Sequence, residues 1–551
     1  MLFNFYPLFK LDRLSSFISL FIGLFSLLTI IYSFKFMQGR KNLWQYYILV
    51  ILTFVSSVGV VLANHLILLL VFWGFLGLLL YLLINIEENS SLTAKKTFII
   101  VGGSDCLMLL GIGIIYYLTG TFQMDKIKIS FTTSYWLLTN ISYLCLAAAS
   151  FAKAGAMPLH SWIPDCAKDA PLPVVAYLPA SLDKLLGIYL LARVSLDLFI
   201  MNKIMNLFLM LIGAFTILAA VMMALVQHNA KRLLGYHAVS QVGYMVLGIG
   251  TGSSLGIAGG LFHMVNHAIY KSCLFLTSGN VEYKTKTTDL DKLGGLSKVM
   301  PITYISCLVA SLSISGVPPF NGFVSKWLVY QGLIEAVGSS QIVYKIIVFL
   351  CLVAAMFGSA LTLASFMKLI HSTFLGQANN SIAEKGYNDV SWQMLLPCLV
   401  LAIICVIFGI FASQVPLKYF IFPVVGTYTF LGIWSSGLAT FLIVLGLFLG
   451  IIIFGLSKIS LRKDAIFLGS ETKALPSTRV SGTEFYNTIK ELDILKTIYL
   501  KAEKGFFDIY EQGKTLIFGI GKFFQFLHNG ILPTYLVWCL LGIVGLFLIF
   551  H

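Results

Sequence analysis

The sequence predicts an all-α, polytopic membrane protein of about fourteen transmembrane helices. Three observations carry that prediction. The 551 residues are 58% hydrophobic and 11% charged, with a mean hydropathy of +0.90, a composition that excludes a soluble globular protein. Apolar runs of spanning length recur from one end of the chain to the other. The basic residues behind the net charge of +14 fall between those runs rather than on one soluble face, so membrane topology explains them better than nucleic-acid binding.

In order, the runs lie near 14–34, 45–63, 65–86, 97–118, 137–157, 174–198, 206–226, 232–250 and 254–279. A longer one, 301–336, is broken at Val317-Pro318-Pro319-Phe320-Asn321-Gly322, and further spans fall near 342–371, 394–413, 428–456 and 533–550. One set of loops holds Lys35, Arg40, Lys41, Lys95, Lys96, Lys231, Arg232, Lys284, Lys286, Lys292 and Lys298; the alternate set holds little beyond Lys126, Lys128, Lys203 and Lys418. The positive-inside rule places the first set in the cytoplasm and the N-terminus outside. Lys458, Arg462 and Lys463 then also fall inside, provided that 301–336 crosses once as a broken helix. No removable signal peptide is expected, because no short apolar segment with a small-residue cleavage site opens the chain.

Residues 484–530 break the apolar pattern. Phe485, Ile489, Leu492, Leu495, Tyr499, Ala502, Phe506, Ile509 and Leu516 recur every three or four residues, with Lys490, Glu491, Lys501, Glu503, Lys504 and Glu511 between them. That is an amphipathic helix, too charged to span. Some 35–45 residues of it would reach about 50–65 Å, and it is expected to lie along the membrane, anchored by the span that follows. Gly513, Gly519 and Gly521 are the expected interruptions. The domain boundaries that result are 1–96 (helices leading into a first repeat), 97–200 (first-repeat core with a broken helix), 201–372 (second repeat with a broken helix), 373–456 (further helices), 457–530 (linker and lateral helix) and 531–551 (anchor).

The nine cysteines stand singly, with no C-x-x-C pair, and read as small buried hydrophobes. Neither a metal cluster nor a cofactor motif is visible, so the chain is expected to have no active site of its own and to bind no cofactor.

The chemistry sits in polar residues inside the apolar runs. Residues 150–194, SFAKAGAMPLHSWIPDCAKDAPLPVVAYLPASLDKLLGIYLLARV, combine prolines with Lys153, Asp183 and Lys184. Proline breaks a helix, and broken backbone at membrane depth is tolerated only where it is enclosed by protein or lines a cavity. A lysine at the bilayer centre costs roughly 2.5–3.5 kcal/mol on insertion scales. Lys153 is read either as snorkelling to the interface or as a buried amine that loads and releases a proton. Lys184 lies deeper, among Leu182, Leu185, Leu186 and Ile188; Asp183 points about 100° away on a helix and is not an automatic partner. His263, His267 and Lys271 recur at i, i+4 and i+8, one stripe of titratable groups that suits a proton relay. Metal binding by the two histidines is the rival reading, without a carboxylate or thiol nearby to complete a site. Lys326 follows the second break. Paired breaks in the two halves of a chain point to an internally repeated transporter fold. Lys368 and His371 end another span, where interface snorkelling is an open reading. Asp105, in GGSDCLMLLG, either offsets a lysine charge or caps a helix.

On three stretches the chain resembles the antiporter-like subunits of complex I, of energy-converting membrane-bound hydrogenases and of Mrp-type Na+/H+ antiporters: KAGAMPLHSWIPDCAKDAPLPV; HNAKRLLGYHAVSQVGYMVLGIG with GLFHMVNHAIYKSCLFLTSGNV; and LGGLSKVMPITYISCLVASLSISGVPPFNGFVSKW. The resemblance covers roughly residues 60–340. It implies two inverted five-helix repeats, each with a broken helix, and a hydrated axis of buried lysines. Lys153 and Lys326 match the lysines of the first and second broken helices. His263, His267 and Lys271 match the linking residues, and Asp105 matches an acid of the first repeat. Lys184 falls where some members have a lysine and others a histidine a turn earlier, here Pro179. One departure stands out: in LVFWGFLGLLLYLLI, Gly74 occupies the place where the family usually has a glutamate to pair with the first lysine.

The N-terminus begins two helices late relative to the usual fourteen-helix core. EFYNTIKELDILKTIYLKAEKGFFDIYEQGK and LHNGILPTYLVWCLLG look like the lateral helix and anchor of a distal complex I subunit. With ASFMKLIHSTFLG, they look most similar to the large antiporter-like subunit of an energy-converting (Ech-type) hydrogenase. The resemblance thus implies a proton- or Na+/H+-translocating subunit of a redox-driven complex in a prokaryotic cytoplasmic membrane. Its expected partners are other antiporter-like and redox subunits, with Fe–S clusters and a NiFe centre in the latter. Ions would move along Lys153, Lys184, His263, His267, Lys271 and Lys326, with Asp105, Asp183 and Lys368 as further residues of the translocation site. Membership of an Mrp-like secondary antiporter is the alternative, and a transport-inactive scaffold the second.

Overall fold

Asp12 starts the first helix. Its side chain accepts from the Ser15 N–H at 2.8 Å while the Ser15 hydroxyl accepts from the Asp12 N–H at 2.7 Å, a reciprocal cap that satisfies two donors with no helical partner. From there, the computed structural model describes residues 8–131, 134–338, 341–377, 388–426, 428–432, 434–456 and 482–550. Lys458, Arg462 and Lys463 lie outside them. The chain is nearly all helix: α1 (Arg13–Phe36), α2 (Leu43–Leu62), α3 (Leu66–Ile84), α4 (Ser91–Thr119), α5 (Trp136–Ala154), α6 (Trp162–Asp169) and α7 (Leu172–Tyr177). A π-helical turn at Leu178–Leu182 joins α7 to α8 (Asp183–Arg193); then come α9 (Lys203–Leu225), α10 (Ala230–Gly250), α11 (Ser254–Thr285), α12 (Pro301–Ser315), α13 (Asn321–Val337) and α14 (Ile342–Ile370). Helices Trp392–Ile410 and Ser436–Leu456 follow, and Asp493–Glu503, Ile509–Leu527 and Leu532–Phe550 form a second compact unit, which begins at Asp493.

Among the described residues, eleven helices are long and apolar enough to cross a membrane, against about fourteen runs read from sequence. The difference has a physical reason. Helices α10 and α11 have 21 and 32 residues, ample to span, but they carry His237, Gln241, His263, Asn266, His267 and Lys271. They tolerate such residues because they face protein rather than lipid: every residue of α10 except Arg232 is buried, and α11 is buried over most of its length. The stretch 172–192 is likewise buried at every residue. The outer helices show the opposite pattern, with Leu20, Ile51, Phe215, Phe349 and Phe357 exposed, as a lipid-facing surface requires. The run 301–336 is broken where the sequence places the break, into α12 and α13.

The loops sort onto two sides. On one, Arg40 pairs with Glu87 (2.8 Å), Lys96 with Asp165 (2.7 Å) and Lys231 with Glu282 (3.1 Å). On the other, Ile129–Ser130 pairs with Phe199–Ile200 as a short parallel ladder, and isolated bridges join Phe9 to Ala63 and His65 to Gln123. These are the two loop sets distinguished by their basic residues.

The single amphipathic helix expected over 484–530 is instead a succession of shorter ones. Its main interruption is at residues 504–508, where Gly505 takes φ +75°, and Gly513, Gly519 and Gly521 lie inside the helix Ile509–Leu527. Glycine in the left-handed region ends a helix cleanly, whereas a glycine inside one only weakens it.

Candidate functional site

The two breaks are built alike. Helix α5 ends at Gly155 (φ 80°, ψ 40°) and α12 at Gly316 (φ 79°, ψ 40°). After each, the chain reaches back to satisfy a carbonyl five residues earlier: the Ala156 N–H donates to Phe151 O at 2.9 Å and the Val317 N–H to Leu312 O at 3.0 Å. The peptide bonds Met157–Pro158 and Pro318–Pro319 are both cis. Stopping a helix in the middle of an apolar protein leaves last-turn carbonyls without partners and exposes the negative end of its dipole. In each break a lysine answers that demand. Lys184 donates to the carbonyl of Ala154, and Lys326 donates to that of Ile314 at 2.8 Å and to the Ser359 hydroxyl at 2.9 Å. Ser359 passes the contact on to Ser315 O at 3.2 Å.

Lys153, wholly buried in the last turn of α5, does not snorkel. Its ammonium donates to the Trp73 carbonyl at 3.2 Å and lies 4.5 Å from the centre of the Trp73 ring, a cation–π contact. Two acids act on its charge, Asp183 and Asp105. Asp183, at the start of α8, also acts on Lys184, and its Oδ2 has no hydrogen-bond partner among the described residues. Asp105 is half-buried on α4. Its Oδ2 lies 3.9 Å from where a Cβ would stand on Gly74 and 3.5 Å from that of Gly77, so the carboxylate lies in the space the two glycines leave on α3, beside the Trp73 that holds Lys153.

The α11 stripe continues the line. Lys271 feels the charge of Lys184, His267 those of Lys271, Lys184 and His263, and His263 that of Lys326. Lys271 is therefore the member nearest the first break in this series, and His263 the one nearest the second. His263 is fixed on both nitrogens: Nδ1 bonds the Ser325 hydroxyl at 2.8 Å, and Nε2 bonds Gln241 Oε1 at 3.2 Å and the Tyr270 hydroxyl at 3.3 Å. With both nitrogens so occupied, the pair with His267 does not present itself to a metal. His267 has no partner on either nitrogen and Lys271 none on Nζ among the described residues. Lys326 closes the line with its ammonium 4.8 Å from the Tyr244 ring, which is itself 5.4 Å from the ring of His263.

Asp105, Lys153, Asp183, Lys184, Lys271, His267, His263 and Lys326 thus form one series of neighbouring charges across α4, α5, α8, α11 and α13. Lys368 lies off that series, with its side chain turned into the protein. It is 3% exposed, and it donates to the carbonyls of Leu225, where α9 ends, and of Gln227 (2.8 Å). His371 beside it is exposed. One residue was missed in the sequence. His237 on α10 is wholly buried, bonds Ser365 through Nε2 at 2.7 Å, and feels the charges of Lys271, Lys326 and Lys368. An imidazole inside the apolar run 232–250, four residues before Gln241, was the available signal.

The described series lies within residues 63–358, which match the family model for the membrane domain of NADH:quinone oxidoreductase and Mrp antiporters. The chain is 31% identical over 422 residues to an Na(+)/H(+) antiporter subunit of Alkalihalophilus pseudofirmus, covering 73% of this chain and 52% of that protein. It is 32% identical over 418 residues to the corresponding Na(+)/H(+) antiporter protein of Staphylococcus haemolyticus, with the same two coverages. The chain therefore spans about half the length of these relatives. Its fold superposes on a chain of an archaeal respiratory complex, the membrane-bound sulfane sulfur reductase, with a TM-score of 0.81 at 23% identity over 98% of this chain and 89% of that one. It superposes on a chain of the Mrp complex of a Dietzia species with a TM-score of 0.68 at 21% identity, over 76% and 83%.

Proposed function

From a chain that belongs to the membrane-subunit family of NADH:quinone oxidoreductases and Mrp antiporters, we propose an ion-translocating subunit of a multisubunit membrane complex. It moves protons, or sodium in exchange for protons, along the buried series from Asp105 to Lys326. The observation that carries the reading is the pair of breaks, each with a lysine set on the last-turn carbonyls of a half-helix. Lys184 also feels the charge of Asp183, but Lys326 is held by dipoles rather than by a fixed counter-ion. It can give up its proton without stranding an opposite charge, which a buried salt bridge would do. Neighbouring charges couple the steps: at about 7 Å and an effective dielectric of 20, two unit charges interact by roughly 2–3 kcal/mol. Protonation of one lysine therefore disfavours the next until the first has discharged. Asp105 serves as the counter-charge of Lys153 in place of an acid at Gly74. The loops bearing Arg40, Lys96 and Lys231 face the cytoplasm.

Of the two kinds of assembly, a redox-driven respiratory complex is favoured, because likeness to the sulfane sulfur reductase chain extends over 98% of this chain, against 76% for the Mrp chain. The hydrogenase chemistry expected from the sequence narrows to this broader class. The two sequence relatives, both Na(+)/H(+) antiporter subunits, favour the second reading, a secondary antiporter without redox partners. Purification of the native complex separates them: iron–sulfur proteins that copurify support the first, and transport by vesicles holding only antiporter-like subunits supports the second. The shared core of both is tested by Lys184→Ala and Lys326→Ala, each expected to slow ion movement roughly a hundredfold or more. Unchanged pumping by both variants would end the proposal.

A further inference from the structure

Between α10, α11, α12 and α14 lies a small cavity of about 20 Å³. Its outer part is formed by Thr288 and Leu293, on the loop beside Lys292; its inner wall includes Leu234, Leu274 and Leu369. Each of those leucines is one helical turn from a residue of a polar group beyond the wall: Leu234 from His237, Leu274 from Lys271, and Leu369 from Ser365. The three polar residues lie close together. His237 Nε2 bonds the Ser365 hydroxyl at 2.7 Å, and the Phe366 ring lies 4.7 Å from the His237 ring and 5.7 Å from the Lys271 ammonium. Nδ1 of His237 has no partner among the described residues although the residue is wholly buried.

A histidine kept merely for packing and one hydrogen bond would gain from having its second nitrogen satisfied, because an unpaired buried polar atom costs about 1–3 kcal/mol. Here that nitrogen is left open within reach of the charges of Lys271, Lys326 and Lys368, next to a cavity whose wall includes the unpartnered hydroxyl of Thr373. The wall is mostly apolar, but Thr277, Ser278, Thr288 and Thr373 line it too, and the volume admits a single water. Imidazole is the side chain suited to accept a proton from water and release it to an amine.

We infer that His237 is a proton-relay residue of this chain, supplied through the cavity from the side of the 287–293 loop and discharging to Lys271. Nδ1 takes a proton from a protonated water, leaving neutral water, and gives it to the neutral amine of Lys271, which returns the ring to its starting tautomer. The step needs no co-reactant. It rests on the proposed ion translocation and adds a supply route that enters the series at its midpoint.

The test uses vesicles that hold the full chain in its native assembly, with proton movement read by a pH-sensitive dye. His237→Gln keeps a hydrogen bond to Ser365 but carries no proton; translocation should fall at least roughly tenfold while the complex assembles in normal amount. Wild-type rates in that variant would overturn the inference and leave the proposed function standing. A second measurement needs no variant. Cys307 lines the cavity, whereas Cys273 and Cys398, buried like it, do not. In the wild-type complex a small hydrophilic thiol reagent should modify Cys307 and spare the other two by mass spectrometry, with transport falling as Cys307 is consumed. An unmodified Cys307 would show the cavity to be closed to water and defeat the inference. Wild-type vesicles that move no protons would defeat the proposed function itself.

Discussion

Gly155 and Gly316 hold one backbone conformation in the two halves of the chain, φ and ψ agreeing to within a degree. Each stands where a half-helix stops and a lysine arrives. The lysine that Lys326 corresponds to in this respect is Lys184, which comes from a different helix, and not Lys153, which sits before its break and is held by Trp73. The repeat is therefore one of local chemistry: a left-handed glycine, a bare carbonyl, an ammonium.

Adding a methyl group at either glycine should disturb both backbone and lysine. An L-residue in the left-handed region costs about 1–2 kcal/mol. A Cβ on Gly316 would stand 3.0 Å from Lys326 Cδ; one on Gly155 would stand 3.0 Å from Lys184 Nζ and 1.8 Å from Ile163 Cδ1. Gly155→Ala and Gly316→Ala should both lower the thermal midpoint of the purified complex, Gly155→Ala by more. Transport per folded complex should drop as well. Wild-type stability and transport in both would show that the breaks do not depend on this geometry.

The acid beside Lys153 can be moved. Asp105→Asn removes one of the two carboxylates that act on Lys153 and should slow ion movement roughly tenfold or more. Gly74 faces the same carboxylate with open room for a Cβ, its nearest neighbour being Asp105 Oδ2 at 3.9 Å. Gly74→Glu placed in the Asp105→Asn background should restore much of the rate, because it returns a negative charge to the same cleft from the opposite helix. Failure of the double variant, with the complex intact, would show that the position of the acid matters and not its charge alone.

At the membrane margin, Asp12 ties the start of α1 to Arg193, which also pairs with Asp197 at 2.9 Å. Burial alone would push the Asp12 carboxyl up, but the Arg193 guanidinium and the Ser15 N–H outweigh it and hold it below the usual value of 3.8. A carboxyl depressed in the folded state contributes stability that is complete above its unfolded value and is lost as pH falls through its folded one. Thermal midpoints should therefore become insensitive to Asp12→Asn only at pH values well below the usual carboxyl value, and fall in the variant relative to wild type above about pH 5. An equal difference at both pH values would show that the contact acts through packing and not through charge.

Most of the site was legible in the sequence because the membrane makes polar residues conspicuous. Lys153, Lys184, the α11 stripe and Lys326 each interrupt apolar sequence, and the prolines mark both breaks. What stayed hidden depends on direction. Lys368 ends an apolar run as a snorkelling lysine would, and only the arrival of the α9 terminus beside it shows that it turns inward. Periodicity likewise gave the stripe His263–His267–Lys271 but not which end meets which break. The fold was legible to the level of helices and breaks. Length and composition alone do not fix the number of crossings, because α10 and α11 are polar for the very reason that they are enclosed.

His267 separates stability from function more sharply than any other member of the series. Its imidazole is wholly buried, with neither nitrogen paired among the described residues, and its ring packs edge-on against Tyr270 at 5.5 Å. Leaving buried polar atoms unpaired costs about 1–3 kcal/mol, whereas an apolar group of similar shape can be neutral or stabilising there. The ring is kept despite that cost between Lys271 on one side and His263 on the other, where a relay needs a group that takes up and returns a proton. His267→Phe should therefore assemble in full and match or exceed the wild-type thermal midpoint, while ion movement falls roughly a hundredfold. The paired readings make the test decisive. A variant that keeps transport would remove His267 from the path. One that loses stability and transport together would mark it as a structural residue whose partners are supplied by bound water.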